Sequence, residues 1–284
     1  MFHFIILFLK KVKNEFNFFR NFVQYLKYLV IIMAICSCSS KEEYRNDLIH
    51  IFDTAAYSGC FMVYDIKTDM TTYVNRERCF ERFSPASTFK IPNSLIALET
   101  KAVQSDKDTI RYNGIEKPIP DWNRDHDLAS AFKYSVVWYY KDIANRIGDS
   151  TMKIWLDTLT DYGTMVRASK IDEFWLDGSL KISADEQVKF LTKLYKNELP
   201  FSPRTVGIVK DMMMYNQDGN YTIRGKTGAS IADNVGWFVG WVETKDNAKI
   251  FALNISVRDS LDSQFMRDRI ELTYKFLREL NILK

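Results

Sequence analysis

Three short patterns in this chain bring together side chains able to make and break acyl bonds. In Ser87-Thr88-Phe89-Lys90 a serine and a lysine stand at i and i+3, on one helix face and within reach of each other, as a nucleophile and its base must be. The spacing alone does not select this pair, because Ser130–Lys133 and Ser150–Lys153 repeat it. Context does: Ser87 follows Ser84-Pro85-Ala86, a helix-start signal that places it in a first turn, where backbone N–H groups and the positive dipole end favour an oxyanion. Lys226-Thr227-Gly228 closes an apolar strand; a lysine and a hydroxyl there can grip a carboxylate, and the glycine lets a ligand approach the backbone. The same tripeptide also reads as a solvated lysine and a turn glycine. Ser135-Val136-Val137 sets a serine in an apolar helical stretch, either as a proton shuttle or as a serine bonded back to its own helix.

Other chemistries fit poorly. The three histidines, His3, His50 and His126, have no zinc-site spacing and lie in no nucleophile elbow, so neither a metal hydrolase nor a Ser-His-Asp triad is expected. With 46% hydrophobic and 26% charged residues in 284, the chain is too apolar for disorder and too charged for a multi-span membrane protein. Residues 1–38 hold Lys10, Lys11, Lys13, Arg20 and Lys27 against Glu15 alone. The remainder is near neutral, with no general electrostatic reason to bind nucleic acid.

The elements that must position these groups follow from hydrophobic periodicity. A hairpin is predicted over about 59–76 and a helix from Ser87 to Thr100. Helices follow at Leu128–Gly148, Thr151–Thr160, Ala184–Asn197 and Pro203–Met214, then strands at Tyr221–Lys226, Val235–Glu243 and Lys249–Val257, and a last helix at Ser263–Leu280. Strands at both ends with helices between them predict an α+β fold: a central antiparallel sheet built from both ends of the chain, flanked by helices, with a helical insertion. Residues 39–284 read as one catalytic unit.

Residues 1–38 read as a leader. Tyr28–Ile35 is an apolar run too short to span a bilayer comfortably but suited to an export signal. Ile35-Cys36-Ser37-Cys38 resembles the lipobox of bacterial lipoproteins, which implies lipidation at Cys38; a plain cleaved signal or an uncleaved anchor is the alternative. An exported, periplasmic protein is expected, tied to a membrane only through the leader or a lipid. Cys60 and Cys79 then form an even pair in an oxidising compartment. Across the mouth of the hairpin they suit either a disulfide or two buried thiols.

The ordered set resembles the penicilloyl-serine transferases, the superfamily of serine beta-lactamases and penicillin-binding proteins. Longer stretches are similar to class D (oxacillinase-type) beta-lactamases: Arg82 to Leu95, Trp122-Asn123-Arg124-Asp125-His126, Phe174-Trp175-Leu176-Asp177-Gly178 and Gly236 to Glu243. The resemblance runs from about Gly59 to the C-terminus. It implies hydrolysis of beta-lactam antibiotics, and hence resistance to them, through an acyl-enzyme on Ser87. It further implies that Lys90, carboxylated by carbon dioxide or bicarbonate, is the general base, with no metal or other cofactor. Burial among Phe89, Ile91, Val137 and Trp175 would favour the unprotonated amine that carboxylation needs.

By position, Trp175 would donate its indole N–H to that carboxyl group and Val137 would shield it. Ser135 would relay a proton, supported by Lys226. Thr227 and Arg267 would hold the substrate carboxylate, and the backbone N–H groups of Ser87 and Ala229, beside Gly228, would form the oxyanion hole. Arg258 and Arg269 lie close to Arg267, and spacing does not separate the three. Tyr162-Gly163-Thr164 departs from the family's Tyr-Gly-Asn, and Trp138-Tyr139-Tyr140 stands where relatives often carry proline. The rival readings are a beta-lactam sensor domain or a penicillin-binding D,D-peptidase, acylated without turnover, and a non-catalytic lipoprotein. The sequence sets neither an oligomeric state nor a substrate spectrum.

Overall fold

The computed structural model describes residues 41–160, 162–257 and 261–284; Cys38 and Arg258 lie outside them. In chain order the elements are β1 (Lys41–Tyr44), α1 (His50–Thr54), β2 (Ser58–Asp65), β3 (Met70–Val74), α2 (Arg76–Cys79), a 3-10 turn at Ala86–Phe89, α3 (Lys90–Glu99), β4 (Thr109–Ile110), β5 (His126–Asp127), α4 (Leu128–Lys133), α5 (Val137–Ile147) and α6 (Asp149–Thr158). They continue as β6 (Thr164–Met165), β7 (Leu180–Lys181), α7 (Ala184–Lys196), α8 (Pro203–Met212), β8 (Met214–Gln217), β9 (Thr222–Ser230), β10 (Val235–Glu243), β11 (Ala248–Ser256) and α9 (Ser263–Glu279).

Seven strands form the main sheet in the order β1-β3-β2-β11-β10-β9-β8. Every pairing from β3 to β8 is antiparallel. The first strands of the chain thus pair with the last, as expected, and all the intervening helices belong to the insertion.

Strand alternation sorts the core into two layers. From β10, Val235, Trp237, Val239 and Trp241 face a cluster shared with α3, α5 and α7. Phe238 and Val242 face a second cluster with Phe52 of α1 and Phe265, Leu272, Phe276 and Leu277 of α9. Because both faces are covered, β10 is buried along nearly its whole length and reads as a continuous apolar run.

Two local expectations differ, and of the two readings of the cysteine pair one is observed. The helix over Leu128–Gly148 is two helices, broken at Ser135, whose φ of +55° lies in the left-handed region where a helix does not continue. Lys226-Thr227-Gly228 lies inside β9, because Ala229 and Ser230 still pair with Gly236 and Val235. Cys60 and Cys79 are free, buried thiols: α2 carries Cys79 back over the sheet, where its Sγ lies 3.9 Å from the carbonyls of Phe61 and Val74.

Candidate active site

Ser87 sits in the 3-10 turn and Lys90 at the first position of α3. The Lys90 Nζ donates to Ser87 Oγ at 3.0 Å. Lys90 is fully buried while Ser87 remains partly open to solvent, so a reactant meets the hydroxyl first. Desolvation lowers the Lys90 pKa from 10.5 to about 7, because a buried ammonium loses its hydration with no carboxylate to replace it. A substantial share of the amine is therefore neutral near neutral pH.

Its surroundings are aromatic. Phe89 stacks on Trp175, with centroids 5.3 Å apart and planes at 20°, and Phe174 meets both rings edge-on. The Tyr140 ring lies 4.9 Å from Lys90 Nζ, and its hydroxyl is 2.8 Å from Ser94 Oγ, one turn along α3. Val137, half-buried, opens α5. The Trp175 indole N–H is buried with no hydrogen-bond partner among the described residues. Such a donor is expensive to leave unpaired.

The nucleophile turn is fixed to the same segment through its backbone. The Trp175 carbonyl accepts from Ser84 Oγ at 2.9 Å and from Ala86 N–H at 3.0 Å. Ala86 is held at φ +48°, a conformation of order 1–3 kcal/mol above the ordinary wells. Trp237 of β10 donates to the Ser84 carbonyl, and Asp233, in the turn before β10, accepts from Ser84 N–H and from Lys181 Nζ. The glycine of Lys-Thr-Gly completes the joint. A Cβ on Gly228 would stand 2.9 Å from the Pro85 carbonyl and 3.2 Å from Thr88 N, so only glycine lets β9 lie this close to the turn.

Ser135 and Lys226 meet across the cleft, the lysine Nζ donating to Ser135 Oγ at 2.5 Å and to the Thr227 carbonyl at 3.1 Å. Burial, then the nearby charges of Lys90 and Arg269, hold the Lys226 pKa well below 10.5. Thr227 and Ala229 are half-exposed on β9, facing away from the Lys226 side of the strand.

Of the three arginines left open by spacing, Arg269 donates to the Gly228 carbonyl, with its pKa lowered to about 10 by burial. Arg267 is exposed and donates to Gln264. Two positions on a helix are separated by about 200°, so one of the pair turns to the strand and the other away. The structure brings Arg269, not Arg267, against Lys-Thr-Gly.

Both departures from the family pattern have local explanations. Thr164 is exposed and joins Lys181 through the backbone pairing of β6 with β7, so this contact does not depend on its side chain. Trp138 donates to the Trp122 carbonyl, and Trp122 to the Tyr134 carbonyl. The two indoles staple the 120s loop to the junction that holds Ser135. His126 has both ring nitrogens engaged, with Ser130 and the Asp121 carbonyl, in a structural role. Tyr140 and Asp233 have no motif to announce them, and Ser84 and Ala86 read in the sequence only as part of a helix-start signal; Tyr140 alone could have been placed, from the turn spacing that sets it on the buried face of α5.

Residues 59–270 match the penicillin binding protein transpeptidase domain. The chain is 44% identical over 198 residues to the probable beta-lactamase YbxI of Bacillus subtilis, covering 69% of this chain and 74% of the relative. It is 46% identical over 188 residues to beta-lactamase OXA-48 of Klebsiella pneumoniae, covering 66% and 71%. The crystal structure of a class D beta-lactamase from Sebaldella termitidis superposes with a TM-score of 0.82 at 38% identity, over 87% of this chain and all of that one. With the nucleophile, the buried lysine and the Lys-Thr-Gly strand assembled in one cleft, the chain belongs to the penicillin-binding transpeptidase-domain family, among its class D beta-lactamases.

Proposed function

We propose that this protein hydrolyses beta-lactam antibiotics through a penicilloyl ester on Ser87, with Lys90 as the general base in its carboxylated form. The observation that carries this reading is the fully buried Lys90 amine 3.0 Å from a part-exposed serine hydroxyl, in a site whose Trp175 indole N–H has no partner among the described residues. Carboxylation from carbon dioxide would supply an anionic oxygen base at the end of Lys90, and we assign its hydrogen bond to the Trp175 indole N–H, whose lack of a partner supports the reading.

Ser87 Oγ loses its proton toward Lys90 and adds to the lactam carbonyl. The C–N bond breaks, and the lactam nitrogen takes a proton through Ser135 with Lys226 behind it. A water, deprotonated at the same base, then cleaves the ester and returns Ser87 to its hydroxyl. The backbone N–H groups of Ser87 and Ala229 receive the oxyanion. Thr227 binds the substrate carboxylate, and an arginine of α9 supplies the positive charge. Arg267→Ala and Arg269→Ala assign that role to whichever raises KM without moving kcat. We also propose export to the periplasm and lipid attachment at Cys38; Cys38→Ser should move the protein from the membrane fraction to the soluble one.

Turnover of a chromogenic cephalosporin and of oxacillin, with and without bicarbonate and alongside intact mass, tests the reaction. Turnover that rises with bicarbonate is expected. A stable acyl adduct at Ser87 without turnover would replace this reading with that of a receptor or D,D-peptidase.

A further inference from the structure

Behind the segment that carries Trp175 lies a cavity of about 680 Å³, within the range of small-molecule sites. It opens between α6 and the chain running from Tyr162 to Leu180. Met152, Leu156, Ile171 and Phe174 give it an apolar interior, and Asp149, Lys153 and Asp157 stand along the α6 side. Lys153 pairs with Asp157 at 2.7 Å, so the lining carries one more carboxylate than ammonium. An apolar interior beneath an acidic lip favours a hydrophobic cation and disfavours a hydrophobic anion. Beta-lactams, which carry a carboxylate, have the wrong charge for it.

The inner wall of the cavity is also the outer wall of the base. Phe174 lines it and meets Phe89 edge-on at 4.9 Å and Trp175 at 5.1 Å. Tyr162 lines it too and packs on Phe89 at 5.9 Å. Phe89 precedes Lys90 in the chain and stacks on Trp175. A molecule seated in the cavity therefore touches a ring that packs directly on the Phe89–Trp175 stack, and close packing passes any shift of Phe174 to that stack.

We propose that this cavity is a second binding site, for an aromatic ring system bearing a single positive charge, and that its occupancy changes how firmly Lys90 holds its carboxyl group. The second half rests on the carboxylated-lysine reading given above.

The probe is (1-naphthylmethyl)trimethylammonium, which has no nucleophilic nitrogen, with 1-naphthoate as the anion of similar shape. Calorimetry and naphthyl fluorescence on the full chain should show saturable binding of the cation and at least about tenfold weaker binding of the anion. Thr164→Arg, at an exposed lining position, and Leu156→Arg, deeper inside, should each weaken the cation at least about tenfold; the first leaves the core untouched. At saturating cation the bicarbonate concentration giving half-maximal turnover should move by threefold or more. No saturable binding, equal binding of the two probes, or unchanged binding in Thr164→Arg overturns the site. Binding with an unmoved bicarbonate midpoint overturns the coupling. Parent enzyme that ignores bicarbonate altogether marks failure of the lysine reading instead, and the binding data decide the site without it.

Discussion

Replacing Trp175 by phenylalanine separates what the indole does by shape from what it does by hydrogen bonding. The stack on Phe89 at 5.3 Å and the edge contact with Phe174 at 5.1 Å are of a kind that a phenyl ring can keep. Only the N–H and a small volume are lost. If that N–H holds a carboxylate on Lys90, its removal forfeits a hydrogen bond to a charged group, about 1.5–3 kcal/mol. At about 1.4 kcal/mol per decade, the bicarbonate concentration giving half-maximal turnover should rise by about ten- to a hundredfold. Titrating bicarbonate against turnover of a chromogenic cephalosporin reads the shift, and carbon-13 NMR with labelled bicarbonate follows the carbamate itself. Without bicarbonate the expected effect on stability is opposite in kind. The parent buries an unpaired donor and the variant does not, so the variant should melt no earlier, apart from a small cavity term. A midpoint within twofold of the parent, with an unchanged carbamate signal, would show that the indole N–H serves no carboxyl group.

With the Lys90 pKa held near 7 by burial, lowering the pH below 7 protonates the amine that must react with carbon dioxide. Carbamate formation from the neutral amine releases a further proton, so turnover at fixed carbon dioxide should then fall by more than tenfold, toward a hundredfold, per pH unit, and added bicarbonate should move that limb to lower pH; a limb that ignores bicarbonate contradicts the assignment. Ser135→Gly relieves the left-handed φ of +55° while removing the hydroxyl, so Tm should hold or rise by a few degrees as kcat falls by about 10²–10⁴; retained kcat removes Ser135 from the proton path. Gly228→Ala drives a methyl to 2.9 Å from the Pro85 carbonyl and should cost about 1–3 kcal/mol together with kcat/KM, seen as a lower Tm and slower acylation; an unchanged Tm would mean that the contact between β9 and the turn is not tight.

What was legible in the sequence is what lies on contiguous residues. Ser87 and Lys90 are one helical turn apart, so local geometry alone joins them. The five inner strands of the sheet and the last helix appear where periodicity put them, within a few residues, because their apolar faces are continuous. The edge strands β1 and β8, exposed along their length, carry no such signal. What escaped depends on residues far apart in the chain. No glycine or proline marks Ser135 as a break between Tyr134 and Val136, and the Lys226 amine that meets its hydroxyl comes from a strand 91 residues away. Ala229 and Ser230 look like a turn after glycine, yet β10 pairs with them. The choice among the α9 arginines depended on the rotation of that helix against β9, which spacing does not encode.

The nucleophile turn is tied to the Trp175 segment by two bonds to a main-chain oxygen, and this separates two kinds of change in that segment. Side chains there can be exchanged, Trp175 included, and the oxygen still points at Ser84 and Ala86. Inserting or deleting a residue between Gly163, whose left-handed φ of +66° brings it against the Lys181 carbonyl, and Ile182, which bridges to Phe83, would slide the oxygen away and release the turn. In this stretch the number of residues, more than their identity, keeps Ser87 aligned, so diversification of the enzyme should show there as substitution at constant length.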